Sequence, residues 1–292
     1  MTFMRSENLT GIILMILSML GFAIADTGIK LLDGAVPVGE LLMLLGIGGA
    51  IVFAILAKRN KQPLFTSALK NRSIQMRAVG EIIGTIGFVT ALTLTTISGV
   101  SAILQVTPLI ITLGAIFFLN EKVGIYRWSA IIAGFVGMLL ILRPGSDAFD
   151  PNMIFAVVGV IGLAVRDLAT RTAPKGIPSL VLACYGFAIL VPTGAIMMVV
   201  TGQAVWPSLT EYIFLLGILS FDAMGYFAIT LAMRMGDVSV ITPFRYSRLI
   251  FAMIIGVLVF HEVIDVWMLS GSAIILVSGL FTIYRERRVA AQ

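Results

Sequence analysis

The sequence contains few of the residues that carry charge or chemistry. Asp, Glu, Lys and Arg together make up 12% of its 292 residues, and it has one His and one Cys. A single cysteine, Cys184, excludes an intrachain disulfide and a cysteine-based metal cluster. Because 59% of the residues are hydrophobic and the mean hydropathy is +1.06, the chain has too little polar surface to cover a soluble globule. The sequence therefore predicts a protein of the lipid bilayer.

The motifs of common enzymes and pumps are also absent. The chain has no H-E-x-x-H, no G-x-S-x-G and no cluster with metal-ligand spacing, so an intramembrane enzyme is a poor fit. It has no G-x-x-x-x-G-K-[ST] loop to hold ATP, which excludes a primary pump unless a partner supplies the ATPase. We expect no cofactor, no metal and no nucleic acid as partner. A regulatory or structural membrane protein remains an alternative.

Apolar segments of membrane-spanning length follow one another along the chain. A spanning helix needs roughly 17–25 residues, and ten such segments are predicted. They cover residues 10–32, 37–57, 76–97, 99–119, 126–143, 152–170, 178–201, 210–233, 238–260 and 264–284. The predicted fold is therefore an all-α integral membrane protein. Glycines in helices 3 and 5 are expected to allow close helix contact. They are Gly80, Gly84, Gly87, Gly134 and Gly137.

Lys and Arg are distributed unequally between the two sides of the predicted helices. With the N-terminus in the cytoplasm, the inner side holds Arg5, Lys58, Arg59, Lys61, Lys70, Arg72, Arg77, Lys122, Arg127, Arg171, Lys175, Arg234, Arg285, Arg287 and Arg288. The outer side holds only Lys30 and Arg143, and Arg166, Arg245 and Arg248 fall within helices. Because cytoplasmic loops retain positive charge, we expect both termini in the cytoplasm. The same rule explains the pI near 9.6, so the excess of basic residues does not require a nucleic-acid partner.

A charged signature occurs twice, 141 residues apart, each time inside an apolar segment. GFAIADTGIK (21–30) matches GLAVRDLATR (162–171), which aligns Asp26 with Asp167 and Lys30 with Arg171. Similar offsets relate Pro37 to Pro178, Val100-Ser101 to Val238-Ser239, and Glu121 to Glu262. Helices 1–5 (residues 1–145) are therefore predicted to repeat as helices 6–10 (residues 146–292). Because five is odd, the second copy enters the membrane from the opposite side, which gives an inverted repeat typical of transporters.

Seven charged residues are predicted to lie deep in the bilayer. They are Asp26, Glu81, Arg166, Asp167, Asp222, Arg245 and Arg248. Unpaired, they would cost roughly 20 kcal/mol on insertion scales, so we expect them to meet partners or a water-filled cavity. Asp26 is predicted near the outer end of helix 1 and Asp167 near the inner end of helix 6. These are the positions expected for residues of an outer and an inner gate. Each carboxylate either pairs with the cation one turn on, Lys30 or Arg171, or exchanges partners as its gate opens.

Two arginines in helix 9 are candidates for substrate contact. Arg245 and Arg248 are three residues apart and so share a helix face. Guanidinium groups beside Tyr246 suit a planar, hydrogen-bonding or anionic ligand. We predict that these three residues contact substrate near the bilayer centre, with Glu81 and Asp222 nearby. The alternative is that the arginines make structural ion pairs with the buried carboxylates.

These residues resemble the drug/metabolite transporter superfamily, EamA branch. The resemblance covers the whole chain and includes Pro108 thirteen residues before Glu121 at the end of helix 4, and Glu262 at the end of helix 9. The segments ADTGIK, RDLATR and PFRYSRL resemble a subgroup with bacterial riboflavin importers and S-adenosylmethionine transporters. Many relatives carry an Arg part-way along helix 2, where this chain reads LLMLLGIGG (41–49).

The resemblance implies a secondary transporter of the bacterial inner membrane that works by alternating access on a small polar metabolite. Riboflavin uptake is the first expectation for its substrate. Export of amino acids or related metabolites and transport of S-adenosylmethionine are the alternatives. The direction of transport, the coupling ion and the formation of a homodimer stay open at the level of the sequence.

Overall fold

Most helices of the chain begin and end close to the predicted boundaries, while the first begins earlier and the last ends later than predicted. The computed structural model describes residues 2–64, 67–119, 124–172, 174, 176–232 and 241–290. This part of the chain forms eleven α-helices and two short 3₁₀ helices, with no strand among the residues described. The α-helices are α1 (Thr2–Leu31), α2 (Val38–Arg59), α3 (Arg72–Leu94), α4 (Ile97–Leu104), α5 (Thr107–Leu119), α6 (Ile125–Leu142), α7 (Met153–Arg171), α8 (Ser179–Thr201), α9 (Leu209–Ala232), α10 (Ser247–Phe260) and α11 (Val266–Ala290). The 3₁₀ helices are Ser67–Lys70 and Thr242–Tyr246.

Seven helical segments of the described chain are long and apolar enough to cross a bilayer. They are Leu9–Leu31, Val38–Arg59, Arg72–Leu94, Ile97–Gly114, Met153–Thr170, Ser179–Thr201 and Leu209–Ile229. Shorter apolar stretches, Trp128–Leu142 and Val266–Phe281, lie in α6 and α11. The chain is therefore an all-helical, multi-pass membrane protein over its described residues. The repeated prolines have equivalent places, because Pro37 and Pro178 each immediately precede the first residue of a spanning helix, α2 and α8.

The fourth span differs from its prediction as one continuous helix over residues 99–119. The structure divides it into α4 and α5 with a two-residue turn between them. Pro108 has no N–H and cannot bond the carbonyl of Leu104 as a helix requires. The hydroxyl of Thr107 donates to that carbonyl instead, at 2.5 Å. In the described part of the ninth span, the proline-containing 3₁₀ helix Thr242–Tyr246 directly precedes α10.

Helices from the two halves of the sequence pack against one another in pairs. α1 packs against α9, α2 against α8, α3 against α7, α4 against α10, and α6 against α11. If spans 1–5 are exchanged with spans 6–10, the α1/α9 pair becomes the α7/α3 pair and the other three pairs map onto themselves. This is the pattern that a two-fold relation between the halves would produce.

Glycines lie where these helix pairs touch. A methyl group added to Gly84 of α3 would lie 2.8 Å from the backbone nitrogen of Leu163 in α7. One added to Gly137 of α6 would lie 2.7 Å from the carbonyl oxygen of Gly271 in α11. Both distances are shorter than non-bonded contact allows, so these backbones approach only because the side chains are absent. The predicted role of glycines in helices 3 and 5 is confirmed for Gly80, Gly84, Gly87, Gly134 and Gly137.

The turn between α3 and α4 is held by two charged side chains, Lys30 and Glu262. The Glu262 carboxylate accepts hydrogen bonds from the backbone N–H groups of Ile97 at 2.6 Å and Ser98 at 3.1 Å, in the first turn of α4. The Lys30 ammonium donates to the carbonyl oxygen of Leu92 at 3.1 Å and to that of the residue capping α3. An anion at a helix N-terminus and a cation at a C-terminus both stabilise the helix dipole. We call Lys30, Glu262 and this turn the outer clamp.

A second polar contact joins the end of α6 to the start of α11. Asp265 accepts a hydrogen bond from the backbone N–H of Met268 at 2.8 Å, and its other carboxylate oxygen pairs with Arg143. The Met268 N–H and then the Arg143 guanidinium hold the pKa of Asp265 below its ordinary value. The carboxylate therefore stays ionised and keeps both contacts over the physiological pH range.

We predict that Gly84→Val lowers the midpoint of thermal unfolding in detergent, because its side chain would enter the backbone of α7. Overpacking of this kind costs on the order of 1–3 kcal/mol. The matched control is Gly217→Val in α9, where an added methyl group would meet no atom within 4 Å. Both changes put valine in a helix, so the intrinsic helix propensity is equal. Equal midpoints for the two variants would contradict the close α3/α7 contact.

We predict that Glu262→Ala destabilises the first turn of α4. It removes two charge-assisted hydrogen bonds, and such bonds contribute roughly 1.5–3 kcal/mol each. Hydrogen–deuterium exchange read by mass spectrometry should show faster exchange in the peptide that contains Ile97 and Ser98. Asp147→Ala, in an exposed loop, serves as the control. Unchanged exchange at this peptide in Glu262→Ala would rule out the outer clamp.

Candidate functional site

A buried ion pair joins the first half of the chain to the second at the level of α1 and α10. The Asp26 carboxylate accepts hydrogen bonds from Arg248, at 2.6 Å from Nη2 and 3.2 Å from Nε. Asp26 is only 4% exposed. The guanidinium carbon of Arg248 lies 5.1 Å from the ring centroid of Phe22 and 5.3 Å from that of Phe88, so two aromatic faces cover the cation. We call the Asp26–Arg248 pair the middle bridge.

A second group of charges lies between α3 and α7, and we call its four residues the inner cluster. Glu81 pairs with Arg166 through Oε1 and Nη1 at 3.2 Å. Its other oxygen lies 3.4 Å from Nη2 of Arg77, one turn earlier in α3. Arg166 also pairs with the neighbouring Asp167 at 2.9 Å. Glu81 is thus shared by two guanidinium groups. Its contact with Arg166 joins the two halves of the chain, as the middle bridge does.

Glycine backbones make room for the inner cluster. A methyl group on Gly80 would lie 2.5 Å from the backbone nitrogen of Arg166, so α3 and α7 could not approach closely enough with a larger residue. A methyl group on Gly186 of α8 would lie 3.3 Å from both Arg77 Nη2 and Glu81 Oε2. The Arg77–Glu81 pair is therefore packed against the bare backbone of α8, which limits how far these charged groups can move.

Aromatic side chains from three helices close another side of this cluster. Phe53 of α2 stacks on Phe187 of α8 with ring centroids 5.5 Å apart, and Tyr226 of α9 meets Phe53 edge-on at 5.5 Å. Arg77 Nη2 donates to the Tyr226 hydroxyl at 3.4 Å. The Tyr226 hydroxyl thus gives the buried arginine a polar contact at the edge of this aromatic group.

Asp222 and Arg245 are half-buried and lie beside these groups without joining them. The charges that act on Asp222 belong to both groups: Asp26 and Arg248 of the middle bridge, and Glu81 of the inner cluster. The carboxylate that acts on Arg245 is that of Asp167. Among the residues that the structure describes, neither side chain has an oppositely charged group within ion-pair distance.

Other predicted site residues have different surroundings. Tyr246 is 7% exposed, and its ring occupies the space that a side chain at Gly279 of α11 would fill. Lys30 does not pair with Asp26 four residues earlier, because it reaches the carbonyl oxygens at the end of α3. The side chain of Arg171 lies outside the described residues, and so does Glu121, the sequence counterpart of Glu262.

Sequence reasoning missed three contributors to these contacts. Arg77 was counted among the inner-side charges, yet it is 4% exposed and paired within the protein. Its spacing of four from Glu81 was the signal that could have indicated this. Phe22, one turn before Asp26, could have been found by the same spacing. No local sequence pattern indicates the hydrogen bonds between Glu262 and α4, because donor and acceptor are about 165 residues apart.

Comparison with known proteins gives a family and several relatives. Residues 9–143 and residues 151–284 each match the EamA-like transporter family. The S-adenosylmethionine uptake transporter of Rickettsia bellii is 29% identical over 63% of this chain and 63% of its own length. The riboflavin transporter of Vibrio cholerae is 29% identical over 65% of both chains. The alignments thus span slightly less than two thirds of these curated relatives.

Two further matches extend over nearly the whole chain. The pseudopaline exporter of Pseudomonas aeruginosa is 22% identical over 92% of this chain and 94% of its own length. A solved crystal structure with 19% identity covers 98% of this chain and 99% of that one with a TM-score of 0.63, which shows a common fold. The names of the relatives indicate transport and not catalysis. Because the family matches most of its residues, the chain belongs to the EamA-like transporter family of the drug/metabolite transporter superfamily.

Proposed function

We propose that the chain is a secondary transporter that moves a small polar organic metabolite across the bacterial inner membrane by alternating access. The observation that carries this proposal is that the buried ion pairs join the two halves of the chain, Asp26 to Arg248 and Glu81 to Arg166. Buried ion pairs contribute little net stability, because desolvation offsets their attraction. In a carrier they have a use, since breaking and remaking them lets one half move against the other.

The proposed architecture consists of two inverted five-helix repeats, residues 1–145 and 146–292, with both termini in the cytoplasm. The family match to two successive stretches supports the repeat. The helix pairs support it as well, because they are preserved when the first five spans are exchanged with the last five. The excess of Lys and Arg on one side of the predicted spans supports the orientation.

The proposed substrate site lies near the bilayer centre between the halves. Its contacts are Arg245 and Arg248 on one side, and Asp222 and Glu81 on the other. Arg245 and Asp222 have no oppositely charged neighbour within ion-pair distance in the described part of the chain, so both are available to a polar ligand. We leave Tyr246 out of the contact set, because its ring packs against α11.

The proposed gates lie on either side of this site. On the outer side, Asp26 and Lys30 connect α1 to α10 and to the α3–α4 turn. On the inner side, Arg166 connects α7 to Glu81 of α3 and also pairs with Asp167, with Arg171 one turn further on in α7. In this proposal the groups of one gate keep their partners while those of the other release them.

Riboflavin taken up by the cell is the first proposed substrate, and S-adenosylmethionine is the second. A riboflavin transporter and an S-adenosylmethionine uptake transporter are equally similar to the chain, at 29% identity. Riboflavin offers a planar ring system with several hydrogen-bond acceptors, which guanidinium groups at Arg245 and Arg248 can donate to. S-adenosylmethionine carries positive charge that the carboxylates of Asp222 and Glu81 can attract. The similarity to an exporter keeps export of a related metabolite as the alternative direction.

The test is uptake of labelled riboflavin and of labelled S-adenosylmethionine by proteoliposomes that contain the purified chain. We expect saturable riboflavin uptake that an excess of the unlabelled vitamin abolishes. Uptake of S-adenosylmethionine alone would replace the first substrate with the second. Uptake of neither, with correctly folded protein in the vesicles, would remove both substrates from the proposal.

We predict that Arg248→Ala and Asp26→Asn each abolish uptake, because each leaves a buried charge without its partner. Removal of one member of a buried pair costs about 3–5 kcal/mol, so folding is checked by thermal unfolding of each variant. Arg72→Ala and Asp33→Asn change the same residue types at exposed positions and should transport normally. The double variant Asp26→Arg with Arg248→Asp restores a pair of opposite charges and should recover folding. Normal uptake by both single variants would exclude the middle bridge from the transport cycle.

A further inference from the structure

We propose that Asp222 is the site at which this transporter binds the proton that couples transport to the proton gradient. The inference rests on the proposed function, since it names the driving ion of the same site. It follows from the position of Asp222 in the middle of the spanning helix α9 and from the lack, among the described residues, of a cation within ion-pair distance of its carboxylate. The other three carboxylates predicted deep in the bilayer, Asp26, Glu81 and Asp167, have arginine partners.

The pairing of the interior charges distinguishes Asp222 from its neighbours. Asp26 is bonded to Arg248, Glu81 to Arg77 and Arg166, and Asp167 to Arg166. Arginine stays protonated in proteins, so a carboxylate bonded to it loses that attraction when it takes up a proton. An unpaired carboxylate has no such attraction to lose when it is protonated. Its neutral form also avoids the free-energy cost of a charge in hydrocarbon. Asp222 is therefore the interior carboxylate that can change charge most easily.

The groups around Asp222 come from three other helices. Asp26 of α1 and Glu81 of α3 are negative, and Arg248 of α10 is positive. α2 also packs against α9, and its sequence has no charged residue between Glu40 and Lys58. On α9 itself, Tyr226 lies one turn further on. An ionised Asp222 thus faces two anions and a single cation that Asp26 already holds.

This arrangement connects the proton to the gate. An ionised Asp222 attracts Arg248 and repels Asp26, so it weakens the middle bridge. A protonated Asp222 exerts neither force, and the middle bridge keeps its geometry. In each cycle a carboxylate oxygen of Asp222 gains one proton from a hydronium ion on one face of the membrane and returns it to water on the other. No other bond forms or breaks.

The first experiment detects the proton without any substrate. Infrared difference spectra of the purified full chain between about pH 6 and about pH 9, a range in which ordinary carboxyl groups stay ionised, report the carbonyl stretch of a protonated carboxylic acid. We expect such a band in the wild-type protein and its loss in Asp222→Asn. Asp222→Glu should shift the band and keep it, and Asp147→Asn in an exposed loop should leave it unchanged. A band that persists in Asp222→Asn, or no band in the wild type, overturns the proposal.

The second experiment tests coupling in proteoliposomes. For each variant, uptake of labelled riboflavin and of S-adenosylmethionine is measured with and without an imposed pH gradient, and the ratio of the two rates is compared. We expect the gradient to change the rate of the wild type and of Asp147→Asn, and the response to be lost in Asp222→Asn. A full response in Asp222→Asn overturns the proposal. If the wild type transports neither compound, the proposed substrates fail, and the infrared titration still decides whether Asp222 binds the proton.

Discussion

The arrangement of this protein's interior follows from the free-energy cost of leaving a charge unpaired in a bilayer. An unpaired carboxylate or guanidinium near the centre costs about 2.5–3.5 kcal/mol, even on the scales that make it least expensive. Asp26 is paired with Arg248, and Glu81 is paired with Arg77 and Arg166. The Asp26–Arg248 and Glu81–Arg166 pairs each join one half of the chain to the other. These interior charges therefore have their partners only when the two halves are packed together.

Close backbone packing is what makes those pairs geometrically feasible. Lipid chains are as apolar as the helices, so burial of leucine does not hold transmembrane helices together. Glycines at Gly80, Gly84 and Gly162 let α3 and α7 touch along their backbones. The same contact fixes the distance between Glu81 and Arg166, which project from these helices. Small residues and charged residues therefore act together, and neither set explains the structure alone.

The turn between the third and fourth spans supplies a further set of polar groups. Non-helical backbone inside a membrane protein persists only where other groups satisfy its N–H and C=O groups. At the α3–α4 turn, Lys30 and Glu262 provide that satisfaction from α1 and from the end of α10. The turn is thus tied to both halves of the chain. A motion of one half against the other must either carry this turn along or release one of the two side chains.

The sequence by itself determined the membrane class, the approximate limits of the spans, the positions of Pro37 and Pro178 before their helices, and the glycines at helix contacts. Those features depend on the length of apolar runs and on residues within a few turns of one another. The tertiary structure alone decided that Asp26 pairs with Arg248, that Arg77 is buried, that the fourth span is divided, and that Glu262 binds the start of α4. The paired groups are up to 222 residues apart in the sequence, and no local pattern relates residues at that distance. Only the packing of one half on the other brings them within bonding reach.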